Sequence, residues 1–360
     1  VVNLLVMLSL VILPGTGRKT WSVPLAYETS HRTVRSSYSH DLLSIGVGLL
    51  VGLAMLGLSV YGFDLYGASL FFGTPLLMGA MAGFIHNRPF SQSLGRTMGI
   101  VALLMLVAGG VLLLFALEGA ICIAMAAPLV LPLGFIGGLI GKAIADSTGT
   151  SVRHTISLLL ILPVLTGAES FYRPVSEYMV LTTVEIDAPP ETVWPYVVEF
   201  PDLSAPDEWY FQAGIACPLR ARIEGHGVGA VRYCEFTTGT FVEPITVWDE
   251  PSRLAFDVTE QPDPMLELSP YHHIHPPHLD HHTLNSRRGE FRLIGLPGGR
   301  TRLEGRTWYT FEMFPQGYWT LWSDSTIHRI HLRVLRHIKQ LAETERSPVM
   351  TTNHKSETAD

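Results

Sequence analysis

Residues 184–203 read VEIDAPPETVWPYVVEFPDL, and they decide how the second half of the chain folds. The opening continues an alternation of apolar and polar residues that starts near Tyr178 (MVLTTVEIDA), the period of a strand with one buried face. Two prolines follow and open a short helix, where the N–H that proline lacks would be unpaired in any case. Beyond them come six strand-like runs: RARIEG, GAVRYCEFTTG, TFVEPITVWD, RLAFDVTEQ, RGEFRLIGL and GRTRLEGRTWYTFEM. Turn residues separate them at 226–227, 238–239, 250–251 and 298–299. A long amphipathic helix is predicted over 316–343, with Trp319, Trp322, Ile330, Val334, Ile338 and Leu341 at three- and four-residue steps. The polar segment 346–360 is expected to be disordered.

A strand, a helix, a run of antiparallel strands and one long helix, opened by the motif I-D-A-P-P-E-T-V-W-P at 186–195, resemble the START-like superfamily. That superfamily is also called SRPBCC or polyketide cyclase/dehydrase-like, and its fold is the helix-grip (START/Bet v 1-like) fold. The resemblance covers 176–345. It implies a curved antiparallel sheet around the C-terminal helix, with a cavity between them. It specifies function poorly, because members include lipid carriers, ligand sensors, aromatase/cyclases and ring hydroxylase subunits.

The first half has a different texture. Charged residues are only 16% of the chain, against roughly 25% in an average soluble domain, and most of them lie after residue 168. Residues 42–62, 65–85, 97–117 and 119–141 contain no charge at all. About 20 apolar residues at 1.5 Å each cross a 30 Å hydrocarbon core, so these four segments are predicted membrane spans. Residues 155–168 are a shorter fifth, and 1–13 could be the remnant of a sixth, within a transmembrane region of 1–170. Arg18, Lys19, Arg32 and Arg35 precede the first span; Arg88, Arg96, Lys142 and Arg153 fall in alternate loops. Positive charge stays cytoplasmic. The soluble domain is therefore expected outside the cytoplasm, on an inner or plasma membrane, provided 155–168 crosses. Gly134, Gly137, Gly138 and Gly141, and Gly48 with Gly52, are spaced for close helix packing. The four spans hold no Asp, Glu, Lys or Arg, which favours an anchor over an ion-coupled pump.

Strand parity selects cavity residues. Thr307, Tyr309 and Phe311 share the inner face of the last strand, and Phe291 and Leu293 that of the one before. Phe241 and Ile245 point inward from TFVEPITVWD, and the same parity brings Glu243 with them. In AVRYCEF one parity puts Tyr233 inside and the other Cys234 and Phe236; Tyr233 is taken, and Trp319 faces it from the helix. A buried carboxylate needs a partner or a raised pKa, so Glu243 is either a ligand-orienting or acid/base group, or a wet rim residue. Cys217 and Cys234 could form a disulfide outside the cytoplasm or remain buried thiols.

The run YHHIHPPHLDHH at 271–282 holds six histidines among twelve residues. Its prolines and its place between two strands make it a loop, expected to act as a lid through Tyr271, His275 and His278. His278 is also a candidate acid/base. Two imidazoles with Asp280 or Glu267 could bind zinc or copper, but regular ligand spacing is missing and no metal or cofactor is expected.

With no basic stripe, the chain is not expected to bind nucleic acid. No nucleophile elbow, P-loop or dinucleotide fingerprint occurs. The leading expectation is a membrane-anchored domain that binds a hydrophobic or amphipathic small molecule or lipid. The alternatives are a cyclase/dehydrase-type enzyme using Glu243 or a lid histidine, and a sensory or structural membrane protein with a protein partner.

Overall fold

The computed structural model describes residues 26–147, 152–171, 175–271, 274–279 and 283–346. The predicted segment 1–13, His272, His273, Asp280, His281, His282 and the tail from 347 onward lie outside these residues. Two units make up the chain, Val1–Leu43 and Ser44–Asp360. Of the first, the described part is helical from Ala26 onward.

Among the described residues, four helical segments are long and apolar enough to cross a membrane: Ser39–Gly62, Ser69–Asn87, Leu94–Leu114 and Ala120–Asp146. They are built from α1 (Ala26–Leu56, continued by a π-helical turn), α2 (Thr74–Asn87, preceded by one), α3 (Leu94–Leu114) and α4 (Ala120–Asp146). A further helix, α5 (Val152–Glu169), covers the fifth apolar segment. Glycine lets α2 and α4 touch through their backbones. A Cβ on Gly137 would run into the carbonyl of Leu76, and one on Gly141 into that of Ala80. At one end, Lys142 of α4 donates to Asn87 Oδ1 of α2 (3.1 Å) and to Gln92 O in the loop before α3 (2.6 Å). At the other, Glu169 of α5 accepts from Ser69 N (3.1 Å) and Ser69 Oγ (2.8 Å), capping the start of the second span.

After α5 the chain forms a seven-stranded antiparallel sheet in the order β1-β7-β6-β5-β4-β3-β2. The strands are β1 (Ser176–Ile186), β2 (Pro218–Glu224), β3 (Val231–Phe236), β4 (Gly239–Asp249), β5 (Arg253–Asp257), β6 (Leu284–Leu296) and β7 (Arg300–Phe311). Two short helices, α6 (Pro190–Val198) and α7 (Trp209–Gln212), join β1 to β2, and α8 (Gln316–Arg346) closes the domain. The proline pair does its expected work, with Pro189 as N-cap and Pro190 in the first turn. Val193, Trp194, Val197 and Val198 then fall on one side of α6 and are buried. Together with Leu335 and Ile338 of α8 and Leu254, Leu293 and Leu303 of the sheet, they make the main core. Each such side chain contributes roughly 1.5–3 kcal/mol on leaving water. This is the helix-grip arrangement, preceded by apolar membrane-type helices. It leaves unfilled the part of the sheet–helix space toward the N-terminal end of α8, where the site lies.

Candidate functional site

A cavity of about 200 Å³ lies between β3–β7 and α8. Phe241, Phe291, Thr307 and Phe311 are on its wall, on the face strand alternation assigns them, and Trp319 of α8 joins them. So is Glu243, and beside it is a residue that parity missed, Arg232. The two stand directly opposite each other on β4 and β3. Their side chains are 8% and 2% exposed, so this is a fully desolvated ion pair. Arg232 Nη1 donates to Glu243 Oε2, and Arg232 Nε donates to the Val198 carbonyl (3.2 Å). The guanidinium also lies 5.5–5.7 Å from the ring centres of Phe200, Phe256 and Phe291, close enough for cation–π attraction. Burial pushes the Glu243 carboxyl up from its ordinary value and the Arg232 charge pulls against that shift. Arg232 stays charged: burial opposes its charge, and Glu243 holds it.

The inward expectation for Tyr233 is corrected. β3 turns Arg232 and Cys234 inward, and Tyr233 stacks outside, 4.3 Å beneath the Arg222 guanidinium. The signal was available: an inward Glu243 needs a buried cation, and its cross-strand neighbour is an arginine. Ile245 and Leu293 are buried at 2% and 4% exposure but belong to the packed core, away from the cavity wall. Tyr309 is also enclosed and does not line the cavity. Its hydroxyl meets Ser323 Oγ (2.8 Å) and Asp324 Oδ1 (2.5 Å) on α8. Of the two alternatives for Cys217 and Cys234, the structure has free, buried thiols and no disulfide between them. They are on separate segments, Cys217 just before β2 and Cys234 within β3, and its register partner across β2 is Ala221.

The histidine run divides. Tyr271 is exposed and its hydroxyl donates to the Leu114 carbonyl at the end of α3 (2.7 Å). His275 is paired with Asp263 (3.2 Å) near the surface. His278, on a single 3-10 turn (Pro277–Leu279), is buried and lines the cavity. Its Nδ1 lies 3.0 Å from Glu118 Oε2, and its Nε2 lies 2.9 Å from Cys122 Sγ and 3.7 Å from Glu267 Oε1. Burial opposes its charge, but contacts with Cys122, Glu118 and Glu267 outweigh this and hold the imidazole well above its ordinary range. Burial likewise works against the Glu267 charge, yet His278 and the start of α4 keep that carboxyl below its usual value. Glu267 accepts from the backbone N–H of Ile121 (3.1 Å) and Cys122 (3.2 Å), so a carboxylate of the helix-grip domain satisfies the first N–H groups of a membrane-type helix.

Glu118, Cys122 and His278 offer ligand atoms within 4.8 Å of one another and could hold a metal ion. The two ring nitrogens of His278 face different partners, however. Nδ1 is in ion-pair range of Glu118 while Nε2 meets Cys122 Sγ, so the ring would have to turn before Glu118 and Cys122 met on one nitrogen. Glu118 and Cys122 escaped sequence reading because they belong to the apolar half, distant in sequence from the histidine loop.

Residues 179–310 match the family described as "Polyketide cyclase / dehydrase and lipid transport". No curated protein matches the chain. Among solved structures, the Zhui aromatase/cyclase from Streptomyces sp. R1128 is 16% identical, over 48% of this chain and 98% of that one, with a TM-score of 0.31. Norcoclaurine synthase from Thalictrum flavum, in complex with dopamine and hydroxybenzaldehyde, is 12% identical over 56% and 96%, with a TM-score of 0.32. A protein from Nitrosospira multiformis is 17% identical over 47% and 98%, with a TM-score of 0.30.

Proposed function

We propose that the chain is a membrane-anchored helix-grip domain that binds a hydrophobic or amphipathic small molecule, such as a lipid, between its sheet and α8. The observation that carries this reading is the cavity itself, largely apolar with the buried ion pair Arg232–Glu243 in its wall. Ligand pockets have that character: apolar walls for affinity and a few fixed polar groups for orientation. The lipid-transport part of the family description agrees with it. Glu243 on the cavity wall also favours a second reading, a cyclase/dehydrase-type acid/base. Against that, Arg232 occupies the carboxylate that such a reaction would use.

This reading puts the domain outside the cytoplasm, and its contacts with the helices support that side. Leu268 O accepts from Ala120 N (2.9 Å) and Tyr66 O from Phe314 N (2.8 Å), so the domain docks on the helix ends joined by 63–68 and 115–119. Neither loop holds a lysine or arginine, whereas Arg88, Arg96 and Lys142 are at the opposite ends. By the positive-inside rule the domain is extracytoplasmic. A reporter fused after Glu345 should be active only outside the cytoplasm. Native mass spectrometry of the full chain in detergent should find a bound apolar molecule, displaced when Thr326, on the cavity wall, is replaced (Thr326→Trp). An empty cavity that also refuses added fatty acid would refute the binding reading.

A further inference from the structure

A second cavity, about 210 Å³, lies inside the helical bundle. For scale, a cavity of roughly 150 Å³ lined by aliphatic and aromatic side chains takes up benzene. Its walls are aliphatic and sulfur-bearing: Leu49 and Leu53 of α1, Met78 of α2, Met105 of α3, and Ala126 and Val130 of α4. Methionine adapts its shape to flexible apolar ligands. The polar groups gather at one end, where Tyr66, Glu118 and His278 meet the soluble domain. An amphipathic molecule lying in this space would have its chain among the helices and its polar head at the joint.

Three residues, His278, Met313 and Trp319, line both cavities. The space in the bundle and the space in the helix-grip domain are thus separated by one layer of side chains. That layer is held from the bundle side, with the Phe71 ring 5.0 Å from Trp319 and the Tyr66 ring 6.0 Å from His278. Met313, buried between them, is unbranched and can change rotamer without moving the backbone.

We propose that the bundle cavity binds one acyl chain of a membrane lipid, and that the wall of His278, Met313 and Trp319 is the passage by which the chain reaches the helix-grip cavity. This rests on the binding function proposed above and specifies its route: the ligand arrives from the bilayer without crossing water. The joint is then the functional centre of the molecule, and the histidine turn is a partition between two compartments.

The test uses the full chain in phosphatidylcholine nanodiscs with two photoactivatable probes. One is phosphatidylcholine with a diazirine on its acyl chain, confined to the bilayer; the other is a diazirine fatty acid added from water. After irradiation, adducts are mapped by peptide mass spectrometry. The phospholipid should label the bundle wall at Met105 and Val130 and the helix-grip cavity at Phe241 and Phe291. Filling the bundle cavity with Ala108→Phe and Ala126→Phe should lower both sets of phospholipid adducts tenfold or more, while the fatty acid still labels Phe241. If that variant does not assemble, Met313→Trp thickens the partition, and should keep the bundle adducts and lose the cavity ones. Phospholipid adducts confined to outward residues such as Leu106, which is 74% exposed, would overturn the bundle site. Phospholipid adducts at Phe241 that persist in the filled or thickened variants would overturn the passage. Cavity labelling by the fatty acid alone would overturn the passage and leave the binding function standing. Labelling by neither probe would sink both.

Discussion

Glu243→Gln keeps the shape of the cavity wall and removes one charge. Arg232 would then be a cation, 2% exposed, with no counter-ion, held by the Val198 carbonyl and three aromatic rings. Breaking a buried ion pair from one side costs about 3–5 kcal/mol, because the remaining charge is stranded in low dielectric. For a domain of this size each kcal/mol moves Tm by about 2–4 °C, so a fall of roughly 6–20 °C is expected. Arg232→Met should cost a similar amount through the stranded carboxylate, less whatever Glu243 recovers by taking up a proton. The double variant Arg232→Met with Glu243→Leu replaces both charges by apolar groups of similar volume, and should come within about 1 kcal/mol of the parent or exceed it. The assay is thermal unfolding of the full chain in detergent, followed by tryptophan fluorescence. A double-mutant cycle then gives the coupling, expected to be several kcal/mol for groups in direct contact. A drop of less than about 3 °C for Glu243→Gln, or a double variant as unstable as the two singles summed, would refute a desolvated pair and, with it, the polar anchor assigned to the cavity.

Three further outcomes are expected. His331 bonds Thr182 (3.1 Å) and Thr307 (2.8 Å), and burial, then the neighbouring His328, push its pKa down to about 4. Since it returns to about 6.5 on unfolding, its contribution is present above that value and is lost as pH falls toward about 4, by up to about 3 kcal/mol. Tm measured against pH should lose that limb in His331→Gln, and identical profiles would contradict an imidazole held neutral between Thr182 and Thr307. Cys217 and Cys234 should both alkylate after denaturation without reductant, and slowly before it, since burial pushes the Cys234 thiol up to about 12. A mass unchanged until reductant is added would reveal a bridge. Gly137→Leu should force α2 and α4 apart at Leu76 and lower bundle stability by about 1–3 kcal/mol or more, whereas Gly110→Leu, with open space at its Cβ, should not. Detergent size-exclusion profiles and melting of the two variants distinguish the cases.

The helix-grip order was legible from residues 184–203 outward, because strand alternation, a proline-opened helix and a long amphipathic helix are local patterns. So were the four apolar helices, since charge-free length is a property of the chain alone. Phe241, Glu243, Phe291, Thr307 and Phe311 line the cavity on the face that alternation assigns them, for side chains in a strand alternate whatever surrounds them. Parity failed for Tyr233 because both faces of β3 carry bulky residues, and the deciding fact was the register that sets Arg232 against Glu243. Ile245, Leu293 and Tyr309 face inward as parity requires, but where packing stops and cavity begins depends on how far α6 and α8 reach across the sheet. The role of His278 was hidden for a similar reason. Its partners Glu118 and Cys122 precede it by more than 150 residues, in a loop and helix that read only as membrane segment. Composition along the chain could separate an apolar half from a polar one. Only the tertiary structure could join them, because the joint is made by isolated polar side chains from both halves, and no period or spacing in either half records their meeting.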